Sequence, residues 1–213
     1  MKLVIGVSGS SGVELGVKFL GVAASLPALE IYIVFSKNAK EVLYLENGID
    51  FSSLIASLDS NSICLNLDSN IGPYLECLHK NKNKIHIFED SSFCAPIASG
   101  SFLFDCMIIL PCSINTLSKI SCGISDTLIT RSALVALKEK RKLVLAVREM
   151  PLNSIMLSNM KLLSDLGVII APPILGYYSS ISTLEDMENF LFGKWLDALG
   201  IENSIYKRWG ENE

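Results

Sequence analysis

Lys2–Ala24 reads KLVIGVSGSSGVELGVKFLGVAA, and its three parts decide the fold. Lys2–Ser8 is an almost unbroken apolar run of strand length, the pattern of a strand buried on both faces. Gly9-Ser10-Ser11-Gly12 interrupts it with turn residues. From about Val13 to Ala24 the apolar residues read as a helix. Strand, glycine turn and helix in that order open a βαβ unit, and the alternation continues outward from there. Further strands are expected at Glu30–Phe35, Ile85–Phe88, Asp105–Leu110, Lys142–Val147 and Val168–Ala171. Helices are expected from Ser36, as N-cap, to about Glu46, and over Asp126–Lys140, Asn153–Leu166 and Thr183–Leu199. Asp126 is the expected cap of its helix. Pro111 is expected to end the strand before it, with a short helix following Ser113. The expected class is α/β, a mainly parallel sheet covered by helices on both faces. Asp59–Ser92, rich in Asn, Ser, Asp and Lys, is expected as an excursion rather than a domain, with a solvated turn at His79–Lys84.

Composition narrows the function. The chain has 213 residues, half of them apolar and 19% charged, with a formal net charge of −4. That length suits a single domain over residues 1–213, and the apolar share excludes a disordered chain. A mean hydropathy of +0.42 points to a well-covered sheet or to a surface partly buried in an oligomer. Eighteen Lys and Arg against 22 Asp and Glu leave no basic footprint for nucleic acid. No run approaches the roughly 20 apolar residues of a membrane span, and the N-terminal run is too short for a secretory leader. Six cysteines show no C-x-x-C pair, and only His79 and His86 could join them, so no metal site is expected. A reduced cytoplasmic protein is the simplest reading, with Cys106 and Cys112 packed as small hydrophobes.

In an open parallel sheet, ligands bind beyond the carboxyl ends of the strands. Three stretches fall at such ends. Gly9-Ser10-Ser11-Gly12 matches neither a P-loop nor a G-x-G-x-x-G fingerprint, so it is either an anion- or cofactor-binding loop or a plain tight turn. Ser113-Ile114-Asn115-Thr116 after Pro111 can cap a helix or hold a ligand. Arg148-Glu149 emerges charged from an apolar strand end, where charges need partners. Arg131 and Lys138, two turns apart, form either a solvated basic face or a phosphate clamp. Pro172-Pro173 through Tyr177-Tyr178 reads on its own as core or subunit packing, and Ala98-Ser99-Gly100-Ser101 as a flexible loop.

Taken in order, these stretches resemble the flavin prenyltransferase (UbiX) family. The motifs are Gly9-Ser10-Ser11-Gly12, Ser36-Lys37 with Glu46, Ala98-Ser99-Gly100-Ser101, Pro111-Cys112-Ser113 with Thr116-Leu117-Ser118, Leu137-Lys138-Glu139 with Arg141, Arg148-Glu149 with Pro151, Gly176-Tyr177-Tyr178 and Arg208-Trp209-Gly210. The resemblance implies a Rossmann-like flavoprotein fold and trimers assembled into dodecamers, with active sites at subunit interfaces. It implies transfer of a dimethylallyl group from dimethylallyl phosphate to N5 and C6 of reduced FMN, without a metal. The product would serve a UbiD-type decarboxylase in ubiquinone biosynthesis or aromatic-acid metabolism. Carried over by position, Gly9, Ser10, Ser11, Ser36, Ser113, Ile114, Asn115, Thr116 and Arg148 would hold FMN. Arg131, Lys138, Tyr178 and Lys194 would hold the prenyl phosphate. Glu149, Glu46, Ser11 and Trp209 would stand at the chemistry, Glu149 moving a proton best if partly buried. The segment from about residue 200 to 213 is expected to pack near the active site or a neighbouring subunit. Lys194 occupies a position that is often Arg in relatives, which keeps charge and loses bidentate geometry.

Two other readings stand beside this one. Pro111–Thr116 and Met150–Met156 also resemble segments of flavin-dependent cysteine decarboxylases of the phosphopantothenoylcysteine type. That group needs a histidine shortly before the strand leading to Pro111, where this chain has Ala98-Ser99-Gly100-Ser101. A non-catalytic FMN-binding carrier would have lost the phosphate-clamping set, all of which is retained.

Overall fold

The computed structural model describes residues 1–59, 70–177 and 182–210. Six parallel strands form one sheet in the order β3-β2-β1-β4-β5-β6, with β1 at Lys2–Val7, β2 at Glu30–Phe35, β3 at Ile85–Glu89, β4 at Cys106–Cys112, β5 at Lys142–Val147 and β6 at Ile169–Ile170. This is the doubly wound Rossmann-like order, with the direction of winding reversing between β1 and β4. The α/β expectation and the six strands hold.

Alternating side chains feed two cores. Leu3, Ile5 and Val7 of β1, with Ile31, Ile33 and Phe35 of β2, pack on one face beneath α1 (Val13–Ser25), α2 (Lys37–Asn47) and α8 (Leu184–Leu199). Val4, Tyr32 and Val34 point to the other face, under α5 (Ile114–Ser121), α6 (Leu128–Lys138) and α7 (Ser154–Asp165). Fully burying a Leu- or Ile-sized side chain contributes about 1.5–3 kcal/mol, so these two layers dominate the fold's stability.

Three expectations need correction. Pro111 does not end β4, which runs on to Cys112. The register with β5 shifts between Ile109 and Cys112, where Pro111 has no N–H to give the ladder. The extra residue turns Cys112 to the second core, whereas Cys106, Ile108 and Leu110 face the first. Thr127, not Asp126, caps α6: its side chain accepts from the Thr130 amide while Thr130 caps back, and Asp126 instead pairs with Lys119 at 2.6 Å. That helix stops at Lys138, because Lys140 sits at φ 54 in the left-handed region. The stretch read as an excursion rather than a domain carries α3 (Phe51–Asp59) at its edge and α4 (Gly72–Lys80), which buries Leu75 and Leu78 in the first core.

Both cysteines expected as small hydrophobes are buried. Burial pushes the Cys106 thiol up to about 12 and raises Cys112 further, so neither is a thiolate at neutral pH.

Candidate functional site

Two strand ends meet at the winding reversal, and one serine joins them. Ser8 directly follows β1, is 1% exposed, and donates its hydroxyl to the Pro111 carbonyl at 2.9 Å. The same oxygen accepts from the Ser113 amide at 2.8 Å. The glycine loop after β1 and the turn after β4 are thereby fixed to each other. Sequence reading missed Ser8 because a serine at the end of an apolar run carries no motif.

The loop then crosses directly over α2. A Cβ on Gly9 would lie 2.3 Å from Asn38 Cβ and 2.9 Å from the Asn38 carbonyl carbon, so only glycine passes there. Gly12 caps α1 at φ 87 and donates its amide to Glu46 Oε2 at 2.9 Å. Glu46 is thus held against the glycine loop. Among the described residues Ser10 Oγ is buried without a hydrogen-bond partner, an orphaned polar atom inside the loop.

Three helices begin around this loop. Ser36 caps α2 by accepting from the Ala39 amide at 3.1 Å, and Ser113 caps α5 by accepting from Thr116 at 3.3 Å. The Thr127–Thr130 box caps α6. A cavity of about 230 Å³ opens between these three N-termini, lined by Gly9, Ser36, Asn38, Ser113, Asn115 and Thr116 on one side and by Asp90, Lys119, Thr127 and Thr130 on the other. First-turn amides and the helix dipoles make its floor electropositive. The donor set of three helix starts, hydroxyls and Lys119 fits a phosphate and polyol, as FMN carries. Ser10, next to Gly9 in the loop, carries the orphaned Oγ but does not itself line this cavity.

Asp90, Lys119, Asn38, Thr127 and Thr130 line the cavity without having been singled out for it. Asp90 follows β3 and bridges to α6: its carbonyl accepts from the Leu128 amide at 2.7 Å and its carboxylate from Ile129 at 2.9 Å. Burial raises its pKa above the ordinary 3.8, against these hydrogen bonds. An acid at the end of an edge strand is the one signal that pointed there.

The cations do not all meet. Arg131 and Lys138 belong to α6, one heptad apart and so about 10 Å along its axis. Arg131 Nε donates to the Ala98 carbonyl at 2.9 Å, and Arg141 holds the Gly100 and Phe102 carbonyls at 2.7 and 2.9 Å. Lys138 pairs with Glu139 beside Gly100. The small-residue loop Ala98–Ser101 is therefore pinned along α6 rather than flexible. Lys194 is exposed on α8, across the sheet from α6. Within one chain the sheet stands between the helix of Lys194 and the helix of Arg131 and Lys138. Tyr178 lies outside the described residues.

Arg148 and Glu149 follow β5, both exposed. The Arg148 amide donates to the Cys112 carbonyl at 3.0 Å, and Glu149 Oε1 accepts from Met150 at 3.0 Å. The partial burial expected for Glu149 is not present in a single chain. Ser11 and Asn115 are exposed, Ile114 is half-buried, and Trp209 is 83% exposed. A larger cavity, of about 720 Å³ between α1, α4 and α8, contains none of the candidate residues.

The family model described as Flavoprotein matches residues 1–193. A flavin prenyltransferase UbiX of Thermoplasma acidophilum is 44% identical over 209 residues, 98% of this chain and 100% of that one. One from Helicobacter pylori is 43% identical over 213 residues, the whole of both chains. Among solved structures, AnUbiX (PadA1) in complex with FMN and dimethylallyl pyrophosphate superposes with a TM-score of 0.81 at 31% identity, covering 100% of this chain and 98% of that one. A dodecameric FMN-dependent UbiX-like decarboxylase from Escherichia coli O157:H7 gives 0.80 at 35% identity, covering 98% and 99%. The cysteine decarboxylase TvaF, at 13% identity and a TM-score of 0.60 over 94% of this chain and 98% of that one, shares the fold alone.

Proposed function

The chain belongs to the UbiX flavin prenyltransferases, and from that membership we propose that it transfers a dimethylallyl group from dimethylallyl phosphate to reduced FMN. The observation that carries the reading is the cavity at the winding reversal, where three helix N-termini and the glycine loop converge. Reduced FMN supplies the nucleophilic N5 and C6, across which the prenyl group closes a fourth ring.

The chain's own residues divide the remaining work. Gly9, Ser36, Ser113 and Thr116, with the first-turn amides of Ile114 and Asn115, hold the flavin phosphate and ribityl chain. Ser10 gives that group its unpaired hydroxyl, and Arg148 adds charge at the neighbouring strand end. Holding acceptor and donor in line supplies the orientation term. Arg131, Lys138, Tyr178 and Lys194 neutralise the charge that builds on the departing phosphate. Trp209 offers an aromatic face to the electron-poor allylic carbons. Ser11, Glu46 and Glu149 stand where a proton leaves the acceptor, and Glu149 becomes an effective base once a neighbouring surface shields it.

Because α6 and α8 lie on opposite faces of the sheet, the donor site is assembled from more than one copy. The exposed Ile155, Leu157 and Leu162 of α7, with Leu166 just past its end, supply apolar surface for such an assembly. We take the assembly to be a dodecamer built from trimers, like the dodecameric E. coli neighbour in number. The product passes to a UbiD-type decarboxylase in the cytoplasm.

Anaerobic incubation with dimethylallyl phosphate, monitored for inorganic phosphate, tests the reading. Release that requires reduced FMN and matches it mole for mole supports transfer. Release without flavin, or neither phosphate from the monophosphate nor pyrophosphate from the diphosphate donor, contradicts it.

A further inference from the structure

The C-terminal segment is gathered onto one carboxylate. Asp197, in the last turn of α8, accepts from Arg208 Nη1 and Nη2 at 2.8 and 2.7 Å, from the Tyr206 hydroxyl at 2.7 Å and from Asn203 Nδ2 at 2.9 Å. A two-pronged arginine–carboxylate pair fixes direction as well as distance. The Tyr206 ring meets Phe190 edge-on at 5.4 Å and lies under the Arg208 guanidinium at 5.1 Å.

Phe190, Gly193 and Asp197 share one stripe of α8. Gly193 is the notch in it: a Cβ there would fall 2.1 and 2.5 Å from Tyr206 Cδ1 and Cε1. A rigid ring cannot yield that far without leaving the helix. The residue after the notch is Lys194, and the residue after Arg208 is Trp209.

The two tryptophans show what this arrangement is for. Trp195 is 2% exposed and donates to the Ala171 carbonyl at 2.9 Å, as an indole serving stability does. Trp209 is 83% exposed at the end of a segment without helix or strand, yet the residue before it is held by several hydrogen bonds. Ordering such a segment costs conformational entropy, and one chain recovers little of it by burying the indole.

We propose that Asp197, Arg208 and Gly193 form a latch that presents Trp209 on the α8 turn carrying Lys194, which makes the three of them positioning residues for prenyl transfer. The proposal rests on the roles given above to Trp209 and Lys194. None of the three touches donor or flavin. They act by deciding where the indole stands.

The test compares the wild-type oligomer with Arg208→Met, Gly193→Ala and the charge-swapped pair Asp197→Arg with Arg208→Asp. Each is measured for FMN affinity, for KM and kcat with dimethylallyl phosphate, and for hydrogen exchange across residues 200–210. The single variants should exchange faster there and lose about 10- to 100-fold in kcat, with FMN affinity unchanged. The swapped pair should recover most of the loss. Full kcat in Arg208→Met beside an active wild type overturns the latch and leaves the proposed function standing. So does a kcat loss matched by an equal loss of FMN affinity, since that marks general loosening. A wild type that forms no prenylated flavin overturns the proposed function, and the positioning role falls with it.

Discussion

The Gly12 amide donates to Glu46 Oε2 at 2.9 Å, so an acid from the last turn of α2 is fixed on the turn that opens α1. Glutamine keeps an oxygen acceptor for that bond and removes the charge. Glu46→Gln should therefore bind FMN normally and fold normally while kcat falls by about 100-fold, the usual worth of one acid–base group. An unchanged kcat for the saturated variant would reduce Glu46 to a structural tie.

Arg131 and Lys194 sit on opposite faces of the sheet, on α6 and α8. Arg131→Met and Lys194→Met should each be nearly inactive alone. Mixed and reassembled together, they should regain a measurable fraction of wild-type turnover, because some interfaces then receive both intact side chains. Absence of recovery in oligomers shown to contain both variants would mean that each site draws on one chain.

Lys18 is buried at 3% exposure between Glu188, whose oxygens lie 3.0 and 2.9 Å away, and Glu14 at 2.8 Å. Burial opposes its charge, but the hydrogen bonds it donates to Glu14 and Glu188 outweigh it and hold the ammonium above its ordinary 10.5. Its contribution is then complete below that value and is lost as pH rises through the folded one. Lys18→Met leaves Glu188 buried and unpaired and should cost about 3–5 kcal/mol in denaturant unfolding, and Glu188→Leu in the same chain should restore part of it. An additive double variant would show that the two charges do not interact.

Asp197 has the opposite sign. The Arg208 guanidinium, helped by Tyr206 and Asn203, lowers its pKa below the ordinary 3.8. The latch therefore stabilises the chain above that pH and is lost as pH falls through the folded value. Acid titration of wild type and Arg208→Met should give stability curves that are separate near neutrality and converge at low pH. Curves that stay parallel would remove Asp197 from the effect.

Much of this was legible in the chain, for reasons that also mark where reading fails. The run Lys2–Val7, the glycine turn and the Ser36 cap were clear because each depends on neighbours in sequence. Pro111 misled because a proline in a strand is tolerated only with a local slip of register, which depends on the partner strand. The Asp126 cap failed for a related reason, since Lys119 claims that carboxylate and leaves Thr127 to the helix. The division of the cations was hidden more deeply. Right-handed crossovers place α1 and α6 on opposite faces once the winding reverses, but α8 follows the last strand and no crossover rule fixes its side.

Prenyl transfer itself is the central claim, and the flavin's mass tests it most directly. Purified protein incubated without oxygen with reduced FMN and dimethylallyl phosphate should return a flavin heavier by one C5H8 unit, with Lys194→Met returning far less. Unmodified FMN recovered from folded, flavin-saturated protein with both the monophosphate and the diphosphate would contradict the account.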